Sequence, residues 1–326
     1  MEDIRDAQKL DHVPRPCDHF DLIGGTSTGG IIALMLGRLG MTVDECIRAY
    51  RKVARRAFTP KRTYTLPASP SGCFSATALE KAIRLITREF CTHELCVNRR
   101  RQGKETTDTC PHSDLVFRDK TCTKTVVLAI TKSNVDARPT LFQTYDRSTP
   151  FEGCTIWEVA RATSAATTFF APISVGRDEV EFIDAGFGYN NPCEELIREA
   201  QRVFPGHKEL CILSIGAGIG SVVDIGDTRM AIIDALKLIA TSSRKVSERL
   251  SDRYGDSGQY FRFDVDRGLG DIRLSDWQLS KEISAHTTNY LNENVRIVKR
   301  FVDALKGSAQ PAGTLRSTST TAGMLT

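Results

Sequence analysis

The sequence lacks three features that would assign it to familiar classes of protein. No uninterrupted apolar run approaches the roughly 18 residues that a membrane-spanning helix requires. The opening segment MEDIRDAQKLDH has no apolar core of the kind that a secretory signal peptide carries. Charge of one sign is not in excess, since 44 Lys and Arg face 40 Asp and Glu and leave a net charge of +4. We therefore expect a cytoplasmic protein that does not bind nucleic acid.

What the sequence does contain is enough apolar material for a globular fold. Hydrophobic residues make up 40% of the 326 residues, which allows a full core to be buried. Ten cysteines are scattered through this long chain without a signal peptide. We interpret them as reduced thiols rather than as a disulfide framework.

Short β-rich runs alternate with helical periodicity along most of the chain, which is typical of an α/β fold. The predicted strands are Phe20–Ile23, Lys124–Thr131, Thr140–Tyr145, Val180–Ile183, Leu210–Ile215 and Tyr260–Val265. The predicted helices are Ile31–Leu39, Val43–Ala57, Ala76–Phe90, Ile156–Ser164, Glu194–Val203, Met230–Arg249 and Ser280–Leu305.

Two segments depart from this alternation. Residues 92–121 are polar and basic, and they indicate a surface insertion between a helix and a strand. From Gly307 onward Ser, Thr, Ala and Gly dominate, which predicts a disordered tail over 307–326. The sequence shows no internal repeat and no linker, so residues 1–306 are predicted to form one domain.

A candidate nucleophile lies near the start of the chain, in FDLIGGTSTGGIIALMLG over residues 20–37. Gly25-Thr26-Ser27-Thr28-Gly29 is a G-x-S-x-G pentad between a predicted strand and a predicted helix. Glycines two before and two after a serine relieve the crowding of a sharp strand-to-helix turn that exposes a nucleophile. The free N–H groups at the start of the following helix favour negative charge beside Ser27. The alternative is an ordinary turn whose serine only caps a helix.

A serine nucleophile needs a base, and Asp184 in EVEFIDAGFGYNNPC is the preferred candidate. It ends a predicted strand and is followed by Ala185 and Gly186, so its carboxylate can take a serine proton without an imidazole. An Asx-turn that closes the strand is the alternative interpretation. A triad with His207 or His286 would match the chain order of an α/β-hydrolase, but almost nothing precedes Ser27 to supply that fold's earlier strands.

The sequence resembles the patatin-like phospholipases, especially the fungal type. The motifs that carry the resemblance are GTSTGG, WEVARATSAATTFFAPI and DAG followed by NNP, with ARPTLFQTYD and LCILSIGAGIG in addition. The likeness runs from about Arg15 to Asp303. Two small departures are Ala185, where the family's D-G-[GA] has glycine, and Thr167, where proline is common.

The resemblance implies a three-layer α/β/α sandwich with a mainly parallel central sheet. It also implies that Ser27 is the nucleophile of a Ser–Asp dyad and Asp184 its general base, with Gly25, Thr28, Gly29 and Gly186 shaping the site. The expected activity is hydrolysis of acyl esters in phospholipids or lysophospholipids through an acyl-enzyme, without cofactor or metal. A catalytically degenerate module that binds lipid or a partner protein is the alternative.

One family element has no counterpart in residues 1–19. Family members begin with a strand and a D-G-G-G-x-R-G loop whose N–H groups form most of the oxyanion hole. The resemblance therefore implies a sheet without its first strand, and only the N–H of Thr28 is identified as an oxyanion donor. A truncated gene model of an active enzyme and a genuinely short, poor catalyst are both open interpretations.

Three further sequence patterns could indicate other chemistry. Cysteines and histidines cluster at Cys91, His93, Cys96, Cys110, His112 and Cys122. No two pairs in this cluster have the C-x₂-C or H-x₃₋₅-H spacing of a structural zinc site, so no metal is predicted. The run Gly216-Ala-Gly218-Ile-Gly220 lacks the spacing of a nucleotide loop. Arg99, Arg100 and Arg101 indicate a solvated face that is also compatible with transient contact with a membrane surface.

Overall fold

A computed structural model of the chain describes residues 1–59, 74–104, 107–145, 150–167, 169–207, 209–218, 242–270, 272, 275–308 and 320–325. Strands and helices alternate along these residues, which confirms the predicted α/β class. The strands are β1 Leu22–Thr26, β2 Lys124–Thr131, β3 Thr140–Gln143, β4 Ile173–Val175, β5 Val180–Asp184, β6 Leu210–Ile215, β7 Tyr260–Phe263 and β8 Thr320–Leu325. The helices are α1 Glu2–Gln8, α2 Thr28–Ala33, α3 Val43–Ala57, α4 Ala76–Glu89, α5 Glu94–Arg101, α6 Ile156–Thr163, α7 Gly186–Tyr189, α8 Cys193–Val203, α9 Arg244–Tyr254, α10 Ser280–Glu293 and α11 Val295–Ser308.

Helix α3 shows why some boundaries are readable from sequence, since its bounds are those predicted. Thr42 caps it: its side chain accepts a hydrogen bond from the Glu45 N–H at 3.2 Å, and the Glu45 carboxylate accepts the Thr42 N–H at 2.8 Å. This reciprocal capping box satisfies two N–H groups that a helix start otherwise leaves without partners.

The chain divides into two compact units by its internal contacts, and one domain over 1–306 stays a prediction. The central unit comprises residues 15–17 and 23–185, and the terminal unit comprises residues 1–14, 18–22 and 186–326. The chain passes between the units at several points rather than through one linker. The sequence therefore has no single linker segment whose composition would mark the boundary between the units.

In the central unit, strand β2 has three neighbouring strands, which are β1, β3 and β5. It pairs antiparallel with β3, from Val126 opposite Gln143 to Ala129 opposite Thr140. It also pairs antiparallel with β5, where Ala129 lies opposite Asp184. Strands β4 and β5 form an antiparallel pair, and β1 is the next strand after β2 in the sheet order. Helix α6 packs against β2, β4 and β5, and α2 packs against β2 and α6.

In the terminal unit, β6 pairs in parallel with β7 and with β8. Part of the segment predicted as a disordered tail over 307–326 lies within described elements, and disorder in the rest of it stays a prediction. Residues 307–308 end helix α11, and Thr320–Leu325 pair with β6 from Leu210 opposite Thr320 to Ile215 opposite Leu325. The strand forms because β6 offers a row of backbone N–H and C=O groups, a long-range partner that local composition cannot reveal.

Other predictions need smaller corrections. Strand β1 begins at Leu22 rather than Phe20, and the helix predicted over Ser280–Leu305 is divided at Asn294, whose amide side chain donates to the Tyr290 carbonyl at 2.8 Å. Strand β4 was not predicted. Helix α5 was not predicted either, and it gives the 92–121 insertion ordered structure with buried cysteines. Residues 230–241 of a predicted helix and Gly220 lie outside the described residues.

Among the residues that the structure describes, no helix is both long enough and apolar enough to cross a bilayer.

Candidate active site

Ser27 occupies the turn between β1 and α2, as the pentad predicts. Its backbone has φ 56° and ψ −126°, and it is one of three non-glycine residues with positive φ in the described part of the chain. A non-glycine residue in this region costs on the order of 1–3 kcal/mol and persists only where its surroundings hold it. The turn, which we call the elbow, is therefore strained and projects the Ser27 side chain from the end of the strand, a geometry like that of a nucleophile elbow.

The glycines around Ser27 permit the close approach that this turn requires. A Cβ placed on Gly25 would overlap the carbonyl group of Gly29 and lie 2.7 Å from the nitrogen of Gly30. A Cβ on Gly30 would lie 2.7 Å from the Thr163 hydroxyl oxygen. The turn can therefore close only if side chains are absent at positions 25 and 30.

The Ser27 hydroxyl donates a hydrogen bond of 2.5 Å to Oδ2 of Asp184. The two residues are 157 positions apart in the sequence. Asp184 is the last residue of β5 and is 8% exposed, and its N–H donates to the Ala165 carbonyl at 3.1 Å. The geometry thus brings together the two side chains that sequence reasoning selected, with a carboxylate in position to accept the hydroxyl proton.

No imidazole lies between these two groups, because the hydroxyl bonds the carboxylate directly. A histidine triad would need a ring nitrogen in that place. The direct contact therefore favours the dyad over the His207 and His286 alternatives. Both histidines belong to the terminal unit.

Thr163, the last residue of α6, was not singled out from the sequence although it lies within the WEVARATSAATTFFAPI motif. Its hydroxyl oxygen accepts the Ser27 N–H at 2.8 Å, and its own hydrogen goes to the Leu128 carbonyl on β2 at 2.6 Å. Thr163 is fully buried. It therefore fixes the elbow to the neighbouring strand and uses both of its hydrogen-bonding functions to do so.

Thr28 opens helix α2, so its N–H is among those for which a helix provides no acceptor. Its side chain hydrogen-bonds the phenol of Tyr50. Burial raises the pKa of Tyr50 above its ordinary value, although the hydrogen bond with Thr28 acts to lower it. Tyr50 is consequently a neutral neighbour of the elbow at physiological pH.

The remaining predicted site residues are Gly29, which lies in the central unit, and Gly186, which lies in the terminal unit. Gly29 is buried in the first turn of α2 in the central unit. Gly186 opens the short helix α7 in the terminal unit, where Phe187 and Gly188 have non-helical backbone angles.

One group of side chains in the described part of the chain has ligand atoms close enough to share a metal ion. It consists of Cys91, Cys96, Cys110 and His112. It lies in the 92–121 insertion and at the residue that precedes it.

Known proteins resemble this chain over much of its length. The family model described as Patatin-like phospholipase matches residues 7–197. Phospholipase A I of Arabidopsis thaliana is 25% identical over 341 residues, which cover 88% of this chain and 25% of that protein. Calcium-independent phospholipase A2-gamma of Rattus norvegicus is 30% identical over 209 residues, covering 61% of this chain and 24% of the rat protein. The cUMP-AMP-activated phospholipase of Escherichia coli is 26% identical and is covered over 54% of its length. The chain thus spans about a quarter of the first two relatives.

Proposed function

Because the chain belongs to the patatin-like phospholipase family, we propose that it is a lipid acyl hydrolase of the phospholipase A or lysophospholipase type. The observation that carries this proposal is the 2.5 Å hydrogen bond from the Ser27 hydroxyl to the Asp184 carboxylate at a strained strand-to-helix turn. Each of the three relatives is named as a phospholipase, which supports a phospholipid as the substrate.

In the first half of the proposed reaction, Asp184 takes the hydroxyl proton as Ser27 Oγ attacks the carbonyl carbon of the lipid ester. The carbonyl oxygen becomes an oxyanion, which the Thr28 N–H is placed to stabilise as a donor at the start of α2. The tetrahedral intermediate collapses, the ester bond breaks, and protonated Asp184 returns its proton to the departing alcohol oxygen. The products are an acyl-Ser27 ester and the deacylated lipid.

In the second half, Asp184 removes a proton from water, and the resulting hydroxide attacks the acyl-Ser27 carbonyl. Breakage of the Ser27 ester releases a fatty acid, and Ser27 Oγ recovers its proton from Asp184. The same carboxylate thus serves as base and as acid in each half. The short Ser27–Asp184 distance suits both roles, since proton transfer requires the heavy atoms to lie no farther apart than about 3.2 Å.

The test compares labelling by a fluorophosphonate probe with hydrolysis of phosphatidylcholine and lysophosphatidylcholine. We expect Ser27→Ala to abolish both and Asp184→Asn to lower turnover by about 10²–10⁴-fold, the usual contribution of a general base. Ser284→Ala and Asp178→Asn are matched controls, because both residues are exposed and neither contacts the dyad. Both controls should retain the wild-type rates.

The alternative function is a module that binds lipid without hydrolysing it. It predicts that vesicle binding occurs in the absence of turnover and is unchanged by Ser27→Ala. Wild-type protein that is folded, binds phosphatidylcholine vesicles and neither reacts with the probe nor releases fatty acid would establish that alternative and refute the hydrolase.

A further inference from the structure

We propose that Cys91, Cys96, Cys110 and His112 form a structural zinc site that holds the 92–121 insertion together. This site is separate from the Ser27–Asp184 pair and from the proposed hydrolysis. We infer this site from the distances, burial and surroundings of the four side chains.

The distances between the four ligand atoms fit a tetrahedral ion. Cys96 Sγ lies 3.7 Å from Cys110 Sγ, and His112 Nδ1 lies 3.5 Å from Cys91 Sγ, 3.2 Å from Cys96 Sγ and 3.9 Å from Cys110 Sγ. All four atoms lie within 4.8 Å of one another. Zn–S bonds of about 2.3 Å and Zn–N bonds of about 2.0–2.1 Å give tetrahedral edges of about 3.8 Å between sulfurs and about 3.5 Å between sulfur and nitrogen. A small adjustment of the side chains would complete the coordination.

The ligand types indicate which metal and which role. Three thiolates and one imidazole form the Cys₃His set of structural zinc sites, and soft sulfur ligands disfavour magnesium and calcium. Four protein ligands leave no open position for water or substrate, so the metal would be structural rather than catalytic. Binding releases the three thiol protons to solvent and leaves the zinc centre with a net charge of −1.

Burial supports the same interpretation. Cys91, Cys96 and Cys110 are 0%, 2% and 2% exposed, and they form a separate buried cluster against which the half-buried Leu115 packs. That cluster contains no fully buried aliphatic side chain. A cluster of three thiols and one leucine buries little apolar surface, and small cores of this kind are commonly held by a metal or by disulfides. The zinc would supply the missing cross-links.

The surroundings of the cluster resemble the outer shell of a metal site. The His93 N–H points at Cys91 Sγ at 3.4 Å, and the His93 ring stacks on the His112 ring with centroids 4.1 Å apart. The Arg100 guanidinium donates to the Cys91 carbonyl, which brings a positive charge beside the proposed anionic centre. Hydrogen bonds to ligand sulfurs and fixed ring orientations tune and orient metal ligands.

The sequence spacing of the four ligands is also compatible with a metal site. Cys91 and Cys96 form a C-x₄-C pair, which lies within the C-x₂₋₄-C range of structural sites, and Cys110 and His112 form a C-x-H pair. The prediction that no metal binds rested on the narrower C-x₂-C pattern. Folding brings the two pairs together across the end of α4, helix α5 and the loop that follows.

The experiment uses the full chain, purified with a non-histidine tag from cells supplied with zinc. Elemental analysis should find one zinc per chain, and a mercurial thiol reagent with a chromogenic chelator should release that zinc. Cobalt exchanged into the site should show thiolate charge-transfer and tetrahedral d–d absorption. Cys96→Ser and His112→Ala should each lower the zinc content of the folded protein to well below half, whereas Cys122→Ser, which alters a cysteine just after the insertion that is not one of the four ligands, should retain one zinc.

Because a ligand variant could fail to fold, the ligands are also mapped in the wild-type protein. Alkylation read by peptide mass spectrometry should leave Cys91, Cys96 and Cys110 protected while zinc is present and modify them once it is chelated, with Cys122 modified equally in both states. Folded protein without zinc or tetrahedral cobalt bands would overturn the proposal. So would an intact mass showing a reducible Cys96–Cys110 disulfide, or zinc content unchanged in folded Cys96→Ser protein.

Discussion

The Thr163 hydroxyl accepts the backbone N–H of Ser27 at 2.8 Å, although 136 residues separate them. The same hydroxyl donates to the Leu128 carbonyl on β2 at 2.6 Å. A turn with strained backbone angles relaxes unless neighbouring groups hold it. Thr163 is therefore a positioning residue for the proposed nucleophile.

Thr163→Val keeps the side-chain shape and removes both hydrogen bonds. The Ser27 N–H and the Leu128 carbonyl lose a partner, so we expect unfolding free energy to fall by about 1–3 kcal/mol. We also expect kcat to fall by about 10–100-fold with little change in KM, because small displacements of a reacting group are costly. Steady-state hydrolysis and urea unfolding measure the two effects.

Thr87→Val is the matched control for this variant. Thr87 is also fully buried, and its hydroxyl donates to the Ile83 carbonyl at 3.0 Å within α4. It should lose stability while kcat stays within about twofold of wild type, which is a small difference in transition-state free energy. Equal losses of kcat in the two threonine variants would mean that Thr163 acts only through general stability.

The strain at Ser27 predicts that two inactive variants differ in stability. Ser27→Ala keeps a Cβ at φ 56°, whereas Ser27→Gly removes it. We expect the glycine variant to be more stable than the alanine variant by about 1–3 kcal/mol in urea unfolding. At Ser284, on the exposed face of helix α10, the alanine variant should instead be more stable than the glycine variant by about 1 kcal/mol. An alanine variant at position 27 as stable as the glycine variant would argue against a strained elbow.

Gly25→Ala tests whether the turn tolerates a side chain. The added methyl group would overlap the Gly29 carbonyl, so the backbone must move away and carry Ser27 with it. We expect a stability loss of about 1–3 kcal/mol and a severe loss of probe labelling. Gly153→Ala is the control, because a Cβ at that exposed position meets no atom within 4 Å. Wild-type labelling in folded Gly25→Ala protein would contradict the close packing of the elbow.

The sequence was sufficient for the dyad residues because each lies at the end of a short strand with a recognisable local pattern. Ser27 follows β1 within the pentad, and Asp184 ends β5 before two small residues. Thr163 lies in no such local pattern, because a threonine near the end of an amphipathic helix can have many structural roles. Its part in the site depends on the approach of α2, α6 and β2, which is a tertiary property.

The same distinction explains the tail and the cysteine cluster. Residues 320–325 are weak strand formers by composition, and their strand exists because β6 provides a partner 110 positions away, as in the pairing of Leu210 with Thr320. Cys91 and Cys110 are brought together by the path of α5 and its loop. Local propensity predicts elements, but it does not predict which distant segments meet.

Arg38 and Asp119 predict a dependence of stability on pH. Arg38 is 3% exposed, and its guanidinium lies 3.1 Å from the Asp119 carboxylate. It also donates to the carbonyls of Phe117 at 2.8 Å and Val116 at 3.0 Å, so it attaches the end of the insertion to the π-helical turn Leu34–Arg38 that follows α2. Burial alone would raise the pKa of Asp119, but hydrogen bonds from Thr121 and the charge of Arg38 outweigh it and lower that pKa below 3.8.

A carboxyl group whose pKa is lower in the folded state contributes stability above its unfolded pKa and loses it as pH falls through the folded pKa. Wild-type protein should therefore lose unfolding free energy as pH falls below about 5, and Asp119→Asn should lose less over the same interval. Urea unfolding from pH 7 to the lowest pH at which the chain folds measures both curves. Asp178→Asn, at an exposed position, should follow the wild-type curve. If the wild-type and Asp119→Asn curves stay parallel, the Asp119 carboxylate makes no pH-linked contribution. Arg38→Met keeps much of the packing, removes the cation beside Asp119 and leaves the Phe117 and Val116 carbonyls without this donor, so it should lower the unfolding free energy at pH 7 by about 1–3 kcal/mol.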